Sequence, residues 1–288
     1  MASRLSIALA LGTSLLLACS DKDSDSASAD GTDGTDSSDS SDGTDGTDGT
    51  DGTDGTDGTD GADGTDGTTS DNAGIRVTHM SPDTPGVSIY VNGGEEAVND
   101  DALEFPQTTP YVEVPAGTYD FAVNVEGGGP TDAPITIPGA VLEAGVKVTA
   151  AAIGTLDASD AADLMPIVLV DDDSARDPGN VMIRVIHAAP SVPAVKIWEV
   201  SGEPTTIVEN YAYGQYDFVF QVPAGEYNLG FDIEPADGNP ELIFNTGPLP
   251  ADAYLNVYAT NNADGSEVFL IAQLPEGPTV RIDPVPAG

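Results

Sequence analysis

Ile75-Arg76-Val77-Thr78-His79-Met80-Ser81-Pro82 returns 108 residues later as Ile183-Arg184-Val185-Ile186-His187-Ala188-Ala189-Pro190. Val114-Pro115-Ala116-Gly117-Thr118-Tyr119 returns at the same offset as Val222-Pro223-Ala224-Gly225-Glu226-Tyr227. Two copies of about 100 residues are too long and too few for a solenoid, whose repeats are about 20–50 residues and number at least three. The sequence therefore predicts two tandem domains, at 73–174 and 180–275, each with a separate core, and leaves 276–288 as a C-terminal tail.

Both copies have the alternating pattern of β-strands. Tyr119, Phe121, Val123 and Val125 are separated by polar or small residues, which is typical of strands with one buried face. The Val-Pro-Ala-Gly motif suits a tight turn and predicts a hairpin, near 111–114 and 118–125 in the first copy and near 216–222 and 226–233 in the second. Further strands are predicted near 75–79, 87–91, 146–153 and 164–170, and near 181–187, 195–200, 253–260 and 267–273.

About seven short strands in about 100 residues favour a β-sandwich of immunoglobulin-like size. The predicted fold class is therefore all-β, with two tandem immunoglobulin-like sandwiches. A third repeated stretch, Leu142-Glu143-Ala144-Gly145, matches Leu249-Pro250-Ala251-Asp252 with a shift of one residue. It leads into a strand in each copy.

These motifs together resemble the bacterial domain-of-unknown-function family numbered 4397. The resemblance rests on Arg-Val-x-His-x-x-Pro, Val-Pro-Ala-Gly-x-Tyr and Leu-x-Ala-Gly, and it covers most of residues 75–274. The second copy departs from the pattern at Pro250 and Asp252. The resemblance implies cell-surface or secreted β-domains, often in tandem, and it adds no catalytic residues.

The N-terminus has the pattern of a signal peptide over residues 1–18. Arg4 precedes an apolar run of about 13 residues, shorter than the roughly 20 that span a bilayer. Leu16-Leu17-Ala18-Cys19-Ser20 resembles the lipobox of bacterial lipoproteins, which implies a lipid on Cys19 and anchoring in a membrane. Ser20, in place of aspartate, implies the outer membrane of the cell envelope, with the domains at the surface. The alternative is a cleaved secretory signal with a chance cysteine.

Residues 19–72 are predicted to be a disordered acidic linker. Asp-Gly-Thr recurs through this segment with almost nothing apolar to bury, so folding cannot offset the loss of backbone entropy. The aspartates are spaced every third residue, unlike the alternating ligands of an EF-hand loop, so only diffuse cation binding is expected. The segment is therefore predicted to be a stalk between the membrane and the domains.

The acidity of the chain is not confined to that linker. The chain carries 49 acidic and 8 basic residues, and residues 75–288 alone hold 32 acidic and 6 basic residues, a net charge of −26. Such a charge excludes nucleic acid and anionic lipid surfaces as partners.

Few side chains of this sequence are candidates for catalysis or metal binding. His79 and His187 end matched strands before a Pro turn. Each is expected to bond turn backbone, the alternative being a metal ligand or general base. Asp171-Asp172-Asp173 is a weak calcium candidate at the domain junction, against a solvated acidic loop. No nucleophile elbow, phosphate loop or dinucleotide fingerprint occurs. The sequence thus predicts neither an enzyme nor a cofactor.

The leading hypothesis is a lipid-anchored surface protein that displays two β-domains for binding, adhesion or envelope interaction, with a polysaccharide or protein as partner. A second hypothesis is a structural spacer or subunit of a surface assembly with no ligand of its own. A hydrolase is the third. If Tyr90, Trp198 and Tyr211 cluster on one exposed face, binding gains support, whereas their burial favours the spacer.

Overall fold

A computed structural model describes residues 71–156, 163–233, 238–275 and 277–285. These residues lie within one compact unit, Asp63–Gly288, and the other unit, Met1–Ala62, falls outside them. The predicted signal peptide, Cys19 and nearly all of the predicted acidic linker are therefore outside the described part of the chain. That part is all-β, as predicted, and contains no helix long and apolar enough to cross a membrane.

The first copy has seven strands in two sheets. The inner sheet has the order β3-β1-β6-β7 and the outer sheet the order β2-β4-β5. The strands are β1 (Asn72–Met80), β2 (Val87–Val91), β3 (Val112–Pro115), β4 (Gly117–Val125), β5 (Ile135–Leu142), β6 (Lys147–Ile153) and β7 (Met165–Val170).

The second copy repeats this plan with three additional strands. Its inner sheet has the order β11-β8-β14-β15-β16, and its outer sheet β10-β9-β12-β13-β17. The strands are β8 (Asn180–His187), β9 (Val195–Glu199), β10 (Thr205–Tyr211), β11 (Phe218–Pro223), β12 (Gly225–Asp232), β13 (Leu242–Leu249), β14 (Ala253–Asn261), β15 (Val268–Gln273), β16 (Thr279–Ile282) and β17 (Pro284–Val285).

The strand order within each copy differs from that of an immunoglobulin domain. In a constant-type immunoglobulin domain strands 1, 2, 5 and 4 share one sheet and strands 3, 6 and 7 the other. Here the first strand is central in the inner sheet and pairs in parallel with the sixth, from Gly74 opposite Lys147 to Met80 opposite Ile153. The second copy has the same parallel pair, β8 with β14. Each copy thus has the predicted size and the two predicted sheets, but its strands follow a different order within the sheets.

The predicted Val-Pro-Ala-Gly hairpin is wrong in both copies. β3 pairs with β1 in the inner sheet, whereas β4 pairs with β2 and β5 in the outer sheet. The motif therefore carries the chain from one sheet to the other. Each tyrosine that follows it steadies this crossing, because the hydroxyl of Tyr119 donates to the carbonyl of Pro115 at 2.7 Å, and that of Tyr227 to Pro223 at 2.8 Å.

The Leu-x-Ala-Gly lead-in has the same conformation in both copies despite the change of residue. Gly145 has φ +76° and Asp252 has φ +59°, a left-handed conformation that aspartate tolerates better than most side chains. The amide of each donates to the start of the first strand of its copy, Gly145 to Asn72 at 2.8 Å and Asp252 to Asn180 at 2.9 Å.

Each copy has its own apolar core between its two sheets, and a further cluster joins the copies. Five buried residues of the first copy's inner sheet pack against five from the second copy: Met80, Ala151, Ile153, Ile167 and Leu169 against Ile186, Ala188, Tyr258, Phe269 and Ile271. The two inner sheets therefore face each other, so the expectation of separate cores holds only in part.

The C-terminal segment belongs to the second copy. β16 pairs with β15 at the margin of the inner sheet, and β17 pairs with β13 at the margin of the outer sheet. Residues 279–285 thus cover two sheet edges, whereas no strand among the described residues pairs with the corresponding edges of the first copy. At the corresponding edge of the first copy, Pro166 in β7 removes one backbone donor, which discourages pairing with another strand.

Candidate functional site at the junction of the two copies

A buried arginine lies at the centre of the junction. Arg76 projects from the middle of β1 and is 2 % exposed. Its Nε donates to Thr149 Oγ1 at 2.8 Å, its Nη1 donates to the carbonyl of Leu274 in the second copy at 2.9 Å, and its guanidinium lies 4.4 Å from the ring centre of Tyr111. A guanidinium so deep in the protein requires a nearby negative charge.

Asp171 supplies that charge and accepts hydrogen bonds from both copies. Its side chain is 4 % exposed, and Oδ2 lies 3.5 Å from Arg76 Nη2. Tyr111 donates to Asp171 at 2.5 Å, Thr149 also donates to it, and Asn256 Nδ2 of the second copy donates at 2.9 Å. Burial, and then the charge of Asp171, raise the pKa of Tyr111 well above its ordinary value, so its hydroxyl stays a donor.

The contacts across the junction are reciprocal. Arg76 of the first copy donates to the Leu274 carbonyl just after β15, and its counterpart Arg184 donates to the Val170 carbonyl at the end of β7 at 2.8 Å. The register of β6 with β7 and of β14 with β15 makes Val170 and Leu274 equivalent. The two copies are thus related as the subunits of a twofold dimer are, in which equivalent residues exchange contacts.

A cleft of roughly 210 Å³ opens beside this network. Its lining includes Arg76, Tyr111, Lys147, Asp252, Tyr254 and Pro275, which come from both copies. Four of the six Lys and Arg residues of 75–288 lie at the cleft or bond its lining, since Arg176 binds Asp252 at 2.6 Å and Arg184 lies 3.7 Å from Asp171. Asp171 and Asp173 also line the cleft, so the aspartates of the lining balance most of this positive charge.

One charged group at the cleft remains open to a ligand. The ammonium of Lys147 lies 5.0 Å from the ring centre of Tyr111, and no ion pair joins it to a carboxylate in the described part of the chain. The hydroxyl of Tyr254 is buried without a hydrogen-bond partner among the same residues. Burial raises its pKa to about 12, so it remains a neutral donor. The cleft can therefore offer a cation and an aromatic wall to a polar molecule.

The three calcium candidates do not converge on one point. Asp171 bonds the residues of the junction network. Asp172 accepts from the amide of Ser174 at 2.9 Å, and Asp173 lies 3.4 Å from Arg176. Among the described residues no group of three or more His, Cys, Asp or Glu side chains gathers in the manner of a metal site.

Both histidines bond turn backbone at the ends of their strands. The Nε2 atoms of His79 and His187 lie 3.2 Å and 3.1 Å from the carbonyls of Pro85 and Pro193, and both residues are 1 % exposed. Since the amide of Ser81 donates to His79 Nδ1, the proton of that ring is on Nε2. Burial lowers the pKa of both rings, which favours the neutral form.

The three aromatic residues singled out from the sequence do not form one exposed face. Tyr90 and Tyr211 are buried, and their hydroxyls donate to the carbonyls of Gly128 and Val185. Trp198 is half-buried on the outer sheet of the second copy, under the ammonium of Lys196 at 4.5 Å.

Sequence reasoning missed the junction network. Arg76 and Arg184 stand at matched positions in the repeated motif, in a chain with very few basic residues. That repetition was the signal in the sequence that could have marked the two arginines as candidate site residues. It does not reveal that both side chains point toward the other copy. Tyr111 and Asn256 have no such signal, because their roles arise only from the packing of the copies.

These features define a protein with two β-sandwich copies packed into one unit and a polar cleft at their junction. Residues 73–198 match the family described as Domain of unknown function (DUF4397), which confirms the predicted resemblance over the first copy and the start of the second. No curated protein matches the chain.

Two solved structures resemble it distantly. One, from Bacteroides uniformis and described as a "putative cell adhesion protein", is 12 % identical with a TM-score of 0.21, covering 71 % of this chain and 98 % of that one. The other, the Bacillus anthracis TIE protein, is 11 % identical with a TM-score of 0.19, covering 74 % of this chain and 44 % of that one. At such TM-scores neither similarity supports a shared function.

Proposed function

We propose that this is a lipid-anchored protein of the bacterial cell envelope, held in the outer membrane, that displays its paired β-copies on an acidic stalk for binding, adhesion or envelope interaction. The cleft at the junction is the proposed binding surface. The observation that carries this proposal is a concave, aromatic-lined site from both copies in which the ammonium of Lys147 has no carboxylate partner in the described part of the chain. A polar polysaccharide or protein of the envelope is the expected partner.

The anchor is tested by replacing the proposed lipidated residue. Cys19→Ser should release the protein from the membrane fraction or leave it unprocessed, because no lipid can then be attached. The measurement is fractionation with labelled fatty acid, compared with wild type. A variant that is processed and fractionates like wild type would contradict the lipid anchor.

The cleft is tested with two matched lysine variants. Lys147 and Lys196 both lie over an aromatic ring, but only Lys147 lines the cleft. Full-length protein is passed over immobilised envelope polysaccharide and surface-protein fractions. Losing a charge-assisted hydrogen bond of about 1.5–3 kcal/mol should weaken retention about tenfold or more in Lys147→Ala. Lys196→Ala should behave as wild type, and equal retention of both variants would exclude the cleft.

The second candidate function is a structural spacer without a ligand. The burial of Tyr90 and Tyr211 favours it, because these rings are then part of the packing and not of a binding face. The continuous apolar cluster between the copies also suits a rigid spacer. Wild-type protein that is retained by none of the fractions, while still being anchored in the membrane, would favour this function over binding.

A further inference from the structure

The second copy closes one side of its sandwich with the C-terminal segment. β16 extends the inner sheet beyond β15, and β17 extends the outer sheet beyond β13, with Asp283 between them. Ile282 of this segment packs against the apolar core of its copy. Residues 279–285 therefore cover the side of the sandwich that lies between β15 and β13, which we call the seam.

The seam of the first copy lies open. Its margins are β7 and β5, the counterparts of β15 and β13, and no strand among the described residues pairs with the outer edge of either. The chain does not turn back at this point, because residues 171–179 lead from β7 directly into β8. The two copies thus share the seam, but only the second is followed by a segment that closes it.

Two valines at the open seam are exposed. Val168 and Val170 of β7 are 43 % and 50 % exposed. They lie on the opposite face of the strand from Leu169, which packs against the second copy. The register of the inner sheets makes Ala272 the counterpart of Val168, and Ala272, beside β16, is only 6 % exposed. The first copy therefore presents an apolar strip where the second copy is covered.

The backbone of β7 can pair with a further strand over its second half. The amide of Asp171 donates to the carbonyl of Lys147 at 2.8 Å, and amides alternate in direction along an antiparallel strand. The amides of Val168 and Val170 are therefore directed away from β6. Pro166 removes a donor only near the start of β7, so a short strand can pair where a long one is discouraged.

A carboxylate beside the open seam fits a basic residue in an added strand. In the second copy, Arg281 of β16 lies 3.3 Å from Glu267, the residue before β15. The sheet registers make Asp163 the counterpart of Glu267 in the first copy. Asp163 is exposed, and no ion pair joins it to a basic side chain in the described part of the chain. The charge at the open seam thus matches the charge of the segment that closes the other seam.

We propose that the seam of the first copy binds an extended segment of a partner protein, with β-branched residues at alternate positions and a basic residue between them. Thr279-Val280-Arg281-Ile282 has this pattern at the same place in the second copy. Main-chain hydrogen bonds to β7 provide affinity, while the valines and Asp163 provide specificity. These residues do not line the junction cleft, so this site does not depend on the binding proposed there.

The partner is a different protein because this chain already uses its own segment. A second copy of the chain that donated residues 279–285 would uncover its own seam, and Leu270, which is 1 % exposed beside Ile282, would lose its cover. Such an exchange opens one seam for each seam that it closes. A segment from another protein carries no such cost.

The test uses a fluorescent peptide with the sequence of residues 278–285 as the probe and full-length protein as the receptor. Fluorescence polarisation measures binding, and amide hydrogen exchange locates it. Three proteins are compared: wild type, Val168→Asp, which places a charge in the apolar strip, and the matched variant Val219→Asp. Val219 is 39 % exposed in β11, which is also a margin strand of an inner sheet.

Wild type and Val219→Asp should bind the peptide saturably, and Val168→Asp should bind it at least tenfold more weakly. Exchange should slow in β7 and stay unchanged in β15, where the peptide could bind only by displacing β16. Absent or unsaturable binding to wild type, equal binding to Val168→Asp, or slower exchange in β15 alone would overturn the proposal. So would a wild-type dimer that Val168→Asp abolishes, because another copy would then occupy the seam.

A charge exchange tests the basic residue separately. Asp163→Lys should weaken binding of the peptide about two- to fivefold, the range typical of exposed ion pairs. A peptide with Arg281→Glu should bind Asp163→Lys better than it binds wild type. Because Asp163 is exposed, this comparison remains available if Val168→Asp fails to fold. Equal binding of the two peptides to Asp163→Lys and to wild type would contradict the proposal.

Discussion

The buried histidines make stability depend on pH in a definite direction. Their pKa values are lowered by burial, so between the folded-state value and about 6.5 the unfolded chain binds protons that the folded chain does not. Their contribution to stability is therefore complete above about pH 6.5 and is lost as the pH falls through the folded-state pKa.

We predict that the free energy of unfolding falls as the pH is lowered from about 7 to about 5.5. A double variant, His79→Gln with His187→Gln, should show a flatter dependence over that range because glutamine does not titrate. Urea unfolding across the range measures both proteins. An equal slope in the two would show that other groups cause the pH dependence.

Removing either ring should also cost stability directly. His79→Ala deletes two hydrogen bonds and His187→Ala deletes one, and each leaves a void, for a loss of about 1–3 kcal/mol. The loss should be larger for His79, as urea midpoints would show. If wild type instead holds stoichiometric metal that both variants lose, the histidines are ligands and not structural groups.

At the scale of the strand, the crossing after Val-Pro-Ala-Gly is held by one tyrosine hydroxyl in each copy. We predict that Tyr119→Phe and Tyr227→Phe each lower the free energy of unfolding by about 0.5–1.5 kcal/mol, because each removes one hydrogen bond to a proline carbonyl and keeps the ring. Chemical denaturation measures the loss. Tyr216→Phe is the control, since its ring is partly exposed outside the crossing.

Most individual strands could be predicted because their residues alternate. The segments near 87–91, 146–153 and 253–260 agree with β2, β6 and β14 to within a residue or so. The alternating pattern did not predict β5, β10 and β13. Pro138 and Gly139 interrupt the alternation in β5, and adjacent apolar pairs and adjacent polar pairs interrupt it in the other two. The 279–282 strand is recognisable only from the edge of β15 that it covers.

The pairing of strands could not be predicted from local signals. A Pro-x-Gly turn looks the same whether the flanking strands pair with each other or enter different sheets, because the choice depends on partners far along the chain. The contacts at the junction could not be predicted for the same reason. Alternation marks Arg76 as a surface residue, and only the second copy makes its position an interior one.

At the scale of the whole unit, the apolar cluster between the copies should make them unfold together. Ile271 is fully buried in that cluster, and Leu255 is buried in the core of the second copy alone. We predict a single calorimetric transition, with Ile271→Ala and Leu255→Ala each costing about 2–5 kcal/mol. Both variants should therefore speed amide hydrogen exchange in β6 and β7 of the first copy, although Leu255 lies in the second. Two resolved transitions in wild type would contradict this coupling.

Salt should stabilise the same unit. Its net charge of −26 produces repulsion between surface carboxylates, which ions screen once the Debye length falls to about 10 Å near 0.1 M. The melting temperature should rise between about 10 mM and 500 mM NaCl, with most of the rise at the lower end. The Arg76–Asp171 pair is too deeply buried to reverse this trend. A flat or falling melting temperature would refute the expectation.

The reciprocal contacts of Arg76 and Arg184 have a consequence for how the protein persists at high dilution. Two separate chains joined through such a symmetric face would part on dilution, whereas here residues 171–179 hold the halves at an effective concentration on the order of millimolar. Because the two halves are joined in one chain, their sequences need not be identical. Gln273 can donate to Thr78 at one end, while their counterparts Leu169 and Ile186 remain apolar at the other. The chain is thus a dimer that cannot dissociate and whose two halves can diverge.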